Sequence, residues 1–196
     1  MKKSLGITVF TFLVATALGC QKQADPVEKG EHLVNILDCD TCHSPKMLNA
    51  NGMPVLAQGG ILVPDTTRRL SGHPAEAIYP TWSPEDAQRG SVTLASRLLT
   101  AWAGPWGVSF ATNLTPDKAT GLGEWTEEAF VQAMRTGKHQ GQPNGRYILP
   151  PMPYYAYKHL TDNEVKAIWA YLQTLPAIEN EVPTPIPPST PTRQGN

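Results

Sequence analysis

The chain has few of the features that usually announce a function. Its 196 residues include three cysteines, too few for a disulfide framework, and no apolar run approaches the roughly 20 residues of a spanning helix. No block of Lys and Arg marks a nucleic-acid footprint, and the formal net charge of −1 gives no electrostatic pull toward a polyanion. Partners of that kind are excluded. What the chain has in excess is punctuation. Nineteen prolines and sixteen glycines predict short helices joined by long loops rather than a continuous bundle.

The N-terminus reads as a targeting segment. Lys2 and Lys3 form a positive head, Leu5 to Leu18 is uncharged and mostly apolar, and small residues lead to Cys20. Such a stretch suits an exported signal peptide. Ala17-Leu18-Gly19-Cys20 resembles a bacterial lipoprotein box, although that box usually has Leu where Ala17 stands. The expectation is a signal peptide over 1–19, lipidation of Cys20, a linker over 20–25 and anchoring at a membrane facing the bacterial periplasm. Ordinary secretory cleavage is the alternative. Loss of 1–19 removes two lysines and leaves the mature chain at −3.

The domain itself is expected over 26–176. Asp25, Pro26 and Glu28 begin a helix with a capping box, running to about Asp38 with Val27, Leu33, Val34, Ile36 and Leu37 as a mainly apolar stripe. Residues 44–107 form a long insertion broken by seven prolines from Pro45 to Pro105 and by Asn51-Gly52 and Gly59-Gly60. Ser83-Pro84-Glu85 can start a short helix, while Leu94–Trp102 fits helix or strand. Thr126 caps a further helix that Gly137 ends. Thr161 and Glu164 box the last one, where Val165, Ile168, Trp169, Leu172 and Leu175 repeat at helical spacing until Pro176. Five more prolines make 177–196 an extended or disordered tail. No internal repeat is visible.

The chemistry lies in Cys39-Asp40-Thr41-Cys42-His43, a C-x-x-C-H motif. Two thiols two residues apart close too small a loop to staple a fold, but they match the two vinyl groups of haem, with the following imidazole presented to the iron. A zinc site would need a second ligand pair, and a thioredoxin-like pair would follow a strand rather than a helix. The motif occurs once, so one covalent haem c is expected, on Cys39 and Cys42, with His43 as an iron ligand. Candidates for the other axial position are Met47, Met53, Met134, Met152, His32, His73, His139 and His159. Met152 stands out because Pro150, Pro151 and Pro153 stiffen its loop. Met134 lies on an apolar helical face and reads as core, and His139 and His159 read as solvated.

The order helix, C-x-x-C-H, long loop, helix, Pro-flanked Met, final helix resembles that of class I cytochromes c. Asn113-Leu114-Thr115-Pro116-Asp117, Gly121-Leu122-Gly123-Glu124-Trp125-Thr126 and Ile148-Leu149-Pro150-Pro151-Met152-Pro153-Tyr154 are similar to the cytochrome c subunits of bacterial periplasmic alcohol and aldehyde dehydrogenases. The resemblance implies an all-α fold around one haem, His43 and Met152 as iron ligands, and electron transfer. It also implies redox partners such as a dehydrogenase and a terminal oxidase or carrier. The chain departs from those subunits in having one haem motif and a longer insertion. A catalytic or gas-binding haem with a displaceable sixth ligand is the competing reading. Within the insertion, Trp82, Trp102 and Trp106 are expected to pack as core or dock a partner, and Arg68 and Arg69 to be solvated or to meet haem propionates.

Overall fold

The computed structural model describes residues 25–188. The signal segment and Cys20 lie outside them. Six helices are described: α1 (Pro26–Ile36), α2 (Cys39–His43), α3 (Pro84–Gln88), α4 (Glu127–Thr136), α5 (Tyr154–Tyr157) and α6 (Asp162–Leu172). The long helices start where the capping residues stand. Asp25 accepts a bond from the Val27 amide at 3.0 Å, which caps α1 without the reciprocal Glu28 box expected for it. Thr126 caps α4 through the Ala129 amide at 3.1 Å, and left-handed Gly137 (φ 67°) ends it. Thr161 and Glu164 form the full box at α6.

α1 and α6 cross at their closest where α1 carries Gly30. A Cβ placed there would lie 1.9 Å from the Ala167 carbonyl oxygen and 2.8 Å from the Tyr171 Cβ. Glycine therefore costs α1 some helix propensity but lets the two backbones touch. Around this crossing Leu33, Val34, Phe130, Met134, Val165, Ile168 and Leu172 form the main buried cluster.

The all-α expectation needs correction. The end of the insertion and the residues just after it fold into an antiparallel meander of β1 (Leu94–Ala95), β2 (Ala101–Gly104) and β3 (Gly107–Phe110), in the order β1-β2-β3 with Trp102 opposite Ser109. The turn Gly104-Pro105-Trp106-Gly107 closes the β2–β3 hairpin, with Gly107 at φ 96°. β2 and β3 are buried along their whole length, so no alternation of polar and apolar residues marks them, and periodicity over 94–102 was bound to be ambiguous.

Closer to α2, residues 46–65 fold into a three-cornered loop whose corners Met47, Val55 and Val63 follow one another at eight-residue steps. Met47 donates to Val63 at 2.8 Å, Val63 to Val55 at 3.0 Å and Val55 to Met47 at 2.9 Å, closing a ring of backbone bonds. The repeat resides in the backbone, and only the spacing of Met47, Val55 and Val63 betrays it in sequence.

Of the two expectations for the tail, the extended one fits its described part. Residues 177–188 are extended but docked. The buried Asn180 side-chain amide donates to the Ser71 and His73 carbonyls at 2.7 and 2.9 Å. Ile186 exchanges both backbone bonds with Val108 at 2.8 and 3.0 Å. Prolines on either side of Ile186 cannot donate, which suits an outer strand; Ile186 alone supplies the amide.

In a solvated helix Gly30→Ala would gain stability of about 1 kcal/mol. Here we expect the opposite sign, a loss of about 1–3 kcal/mol from overpacking against Ala167, read as a lower midpoint in denaturant unfolding.

Candidate cofactor site

The C-x-x-C-H residues form α2, whose entry is set by Asp38 in the left-handed region (φ 55°). Asp tolerates that conformation better than most residues, and Thr41 Oγ1 donates to its carboxylate at 2.8 Å. Tyr157 donates to the Leu37 carbonyl at 2.8 Å, fixing the same corner from α5. The corner turns Cys39, Cys42 and His43 toward one cavity.

His43 is buried, and its Nδ1 lies 2.8 Å from the Thr112 carbonyl oxygen. A carbonyl only accepts, so Nδ1 carries the hydrogen and Nε2 keeps the lone pair. Burial lowers the pKa of the ring. Both thiols are free. Burial, then the neighbouring Asp40 and Asp38, push the Cys39 thiol up to about 12, and burial raises Cys42 too. Reactive redox cysteines have the reverse environment, so the thioredoxin-like alternative finds no support. Among the described residues no group of three or more His, Cys, Asp or Glu side chains is arranged to hold a metal ion.

The cavity is large and mostly apolar. About 1270 Å³ of atom-free space, open solvent at the mouth included, lies within its walls. Leu114, Leu122, Phe130, Ile148, Leu149 and Ile168 line it, with Trp102 and Trp125. Met152 lines the same space, half-buried among Pro150, Pro151 and Pro153. Ser109 of β3 donates to the Pro150 carbonyl at 2.5 Å, so the sheet holds the Met152 loop. Apolar walls, a thiol pair and an imidazole fit an apolar macrocycle attached at its edge. Two basic side chains, His139 and Arg146, also line the cavity and suit a ring that bears carboxylates.

The other sequence candidates are sorted by this geometry. Met134 is buried in the core cluster, as expected, and also reaches the cavity. His139 is not simply solvated: it packs edge-on to Trp125 at 5.7 Å, and burial lowers its pKa. His159, His32, Met47 and Met53 are exposed and away from the cavity. His73 is buried and bonded to Thr100 at 2.8 Å. Trp102 packs against the cavity, Trp82 supports the sheet, and Trp106 bonds Ser109 at 3.3 Å. Arg68 pairs with Glu76 at 3.1 Å and Arg69 with Asp40 at 2.6 Å, and neither lines the cavity. Arg146 does, its guanidinium bonded to the Tyr147 carbonyl at 3.3 Å. Thr112, Ser109 and Arg146 were missed in sequence. Only the position of Thr112 beside the Asn113–Asp117 run gave any hint.

No family model matches the chain. Among curated proteins it is 42% identical over 74 residues to the fructose dehydrogenase cytochrome subunit of Gluconobacter japonicus, 38% of this chain and 15% of that one. It is 28% identical over 171 residues to the gluconate 2-dehydrogenase cytochrome c subunit of Pantoea cypripedii, 87% of this chain and 28% of that one. It is 24% identical over 175 residues to the cytochrome c subunit of the quinone-dependent alcohol dehydrogenase of Gluconobacter oxydans, again 87% of this chain and 27% of that one. The chain thus spans well under a third of the length of each of these relatives. The likeness supports a c-type cytochrome. More narrowly, the chain resembles the cytochrome c subunits of dehydrogenases.

Ser109→Ala leaves the Pro150 carbonyl and the Trp106 indole without their partner. A loss of about 1–3 kcal/mol is expected, measured as a shift of the denaturant midpoint with unchanged slope.

Proposed function

We propose that the chain is a mono-haem c-type cytochrome that carries electrons between a periplasmic or membrane-bound dehydrogenase and a downstream acceptor. The observation that carries this reading is that Cys39, Cys42, His43 and Met152 all line one apolar cavity. Haem, when bound, supplies a one-electron iron couple. Cys39 and Cys42 hold it as thioethers, His43 Nε2 is the first iron ligand with Thr112 fixing its tautomer, and Met152 is the second. Arg146 and His139 face the haem carboxylates. Methionine ligation raises the reduction potential and leaves no open position for a substrate, so the chain is a carrier or electron-transfer subunit rather than an enzyme. Its relatives' membership of dehydrogenases supports a dehydrogenase as electron donor.

Among the described residues no helix is long and apolar enough to cross a membrane. We place attachment at Cys20, lipidated after removal of the 1–19 signal peptide. Several acyl chains on one residue anchor stably where a single chain is marginal.

Haem staining after denaturing electrophoresis should give a band at the chain's mass, and mass spectrometry one added haem. Two haems, or haem extracted by acid-acetone, would refute the reading. Met152→Ala should abolish the weak sulfur-to-iron charge-transfer band of the oxidised protein and open the reduced protein to carbon monoxide. A surviving band would pass the role to another sulfur, and Met134 is the other methionine that lines the cavity. Wild-type protein should fractionate with membranes and Cys20→Ser with the soluble periplasm; identical soluble behaviour of both would support plain secretory cleavage.

A further inference from the structure

Two cations grip α2, Lys46 at the start of the three-cornered loop and Arg69 four residues beyond its end, and neither lines the cavity. α2 has five residues, far below the length at which a helix stands alone, and its terminal carbonyls lack partners within the helix. Lys46 is buried. Its ammonium donates to the carbonyls of Asp40 at 3.2 Å, Thr41 at 2.9 Å and Ser44 at 2.5 Å. All three of its donors are used on carbonyl oxygens around His43.

Arg69 takes the side chain of the same turn. Its Nε donates to the two Asp40 oxygens at 3.0 and 3.1 Å, and its Nη2 to Oδ2 at 2.6 Å. Its remaining donors reach Tyr171 on α6 at 2.5 Å and Asn35 on α1 at 3.2 Å. Asp40 therefore has its own counter-ion, and the Lys46 ammonium bonds carbonyl oxygens alone. Taking an ammonium out of water costs several kcal/mol, a penalty that the carbonyl ring and the negative end of the helix offset.

We propose that Lys46 and Arg69 are positioning residues that set the reduction potential of the haem through α2. Lys46 fixes a positive charge at the end of the helix that carries His43, and Arg69 neutralises Asp40 while tying the turn to α1 and α6. The inference rests on the haem reading above. Reduced iron carries one positive charge fewer than oxidised iron, so a fixed cation nearby favours the reduced state and an unopposed anion the oxidised one.

The test is redox titration of the matured holoprotein. At the wild-type midpoint, Lys46→Met should raise the ratio of oxidised to reduced haem several-fold, up to about tenfold; for one electron tenfold corresponds to 59 mV. Lys46→Arg keeps the charge and should return the midpoint toward wild type, which a purely structural role would not require. Arg69→Gln should move the midpoint in the same direction as Lys46→Met, and Asp40→Asn in the opposite one. Wild-type midpoints in both Lys46→Met and Arg69→Gln would overturn the proposal. Should Lys46→Met yield no holoprotein, opposite shifts in Arg69→Gln and Asp40→Asn support the proposal and coincident midpoints refute it. A wild-type chain without covalent haem would fail earlier and differently, removing the haem reading itself.

Discussion

The structure depends on holding a helix too short to hold itself. α2 spans Cys39 to His43, and a single turn is unstable in water because nucleation uses up more conformational freedom than one hydrogen bond returns. Its geometry is therefore imposed from outside. Asp38 sets the direction of entry, Tyr157 ties the preceding corner, Thr112 fixes the His43 ring, and Lys46 with Arg69 secures the exit. Apart from Asp38 itself, these residues come from α5, the insertion and the segment just after β3, so one turn is held from several distant parts of the chain.

The insertion takes its meaning from the same constraint. A loop of that length without structure would be unusual in a compact domain. Here its first part carries the two cations that meet α2, and its last part contributes to the sheet whose Ser109 bonds the Met152 loop. The two proposed iron ligands thus sit on segments that the insertion steadies from both sides. Because that support is made of bonds between distant residues, the cavity can be lined almost entirely by apolar side chains and still keep its shape.

How much of this was legible in sequence follows from which interactions are local. Caps are local, and Asp25, Thr126, Gly137, Thr161 and Glu164 mark the helix ends to within a few residues. The C-x-x-C-H motif is local as well. The sheet was not legible, because a buried strand lacks alternation and its partners lie beyond a turn. Thr112 lies 69 residues from the His43 it orients, and no spacing rule connects them. The tail was ambiguous in a different way. Its prolines fit an extended or a disordered segment alike, since a backbone that cannot donate is also what an outermost docked strand requires, and for 177–188 Asn180 and Ile186 decide between the two.

The arginines show the same limit in sharper form. Arg68, Arg69 and Arg146 are alike in sequence, each in a polar stretch near glycine or proline. Their environments differ entirely: Arg68 meets Glu76, Arg69 serves Asp40 and Tyr171, and only Arg146 lines the cavity. Electrostatics explains the sorting. A guanidinium beside a carboxylate already has a counter-charge, and a cofactor carboxylate would add little to it. Arg146 bonds a backbone carbonyl, and burial lowers its pKa. Among the described residues it pairs with no carboxylate, so a ligand that brings carboxylates into the cavity would give it a counter-charge. The charge that completes this fold is thus one the cofactor is proposed to supply.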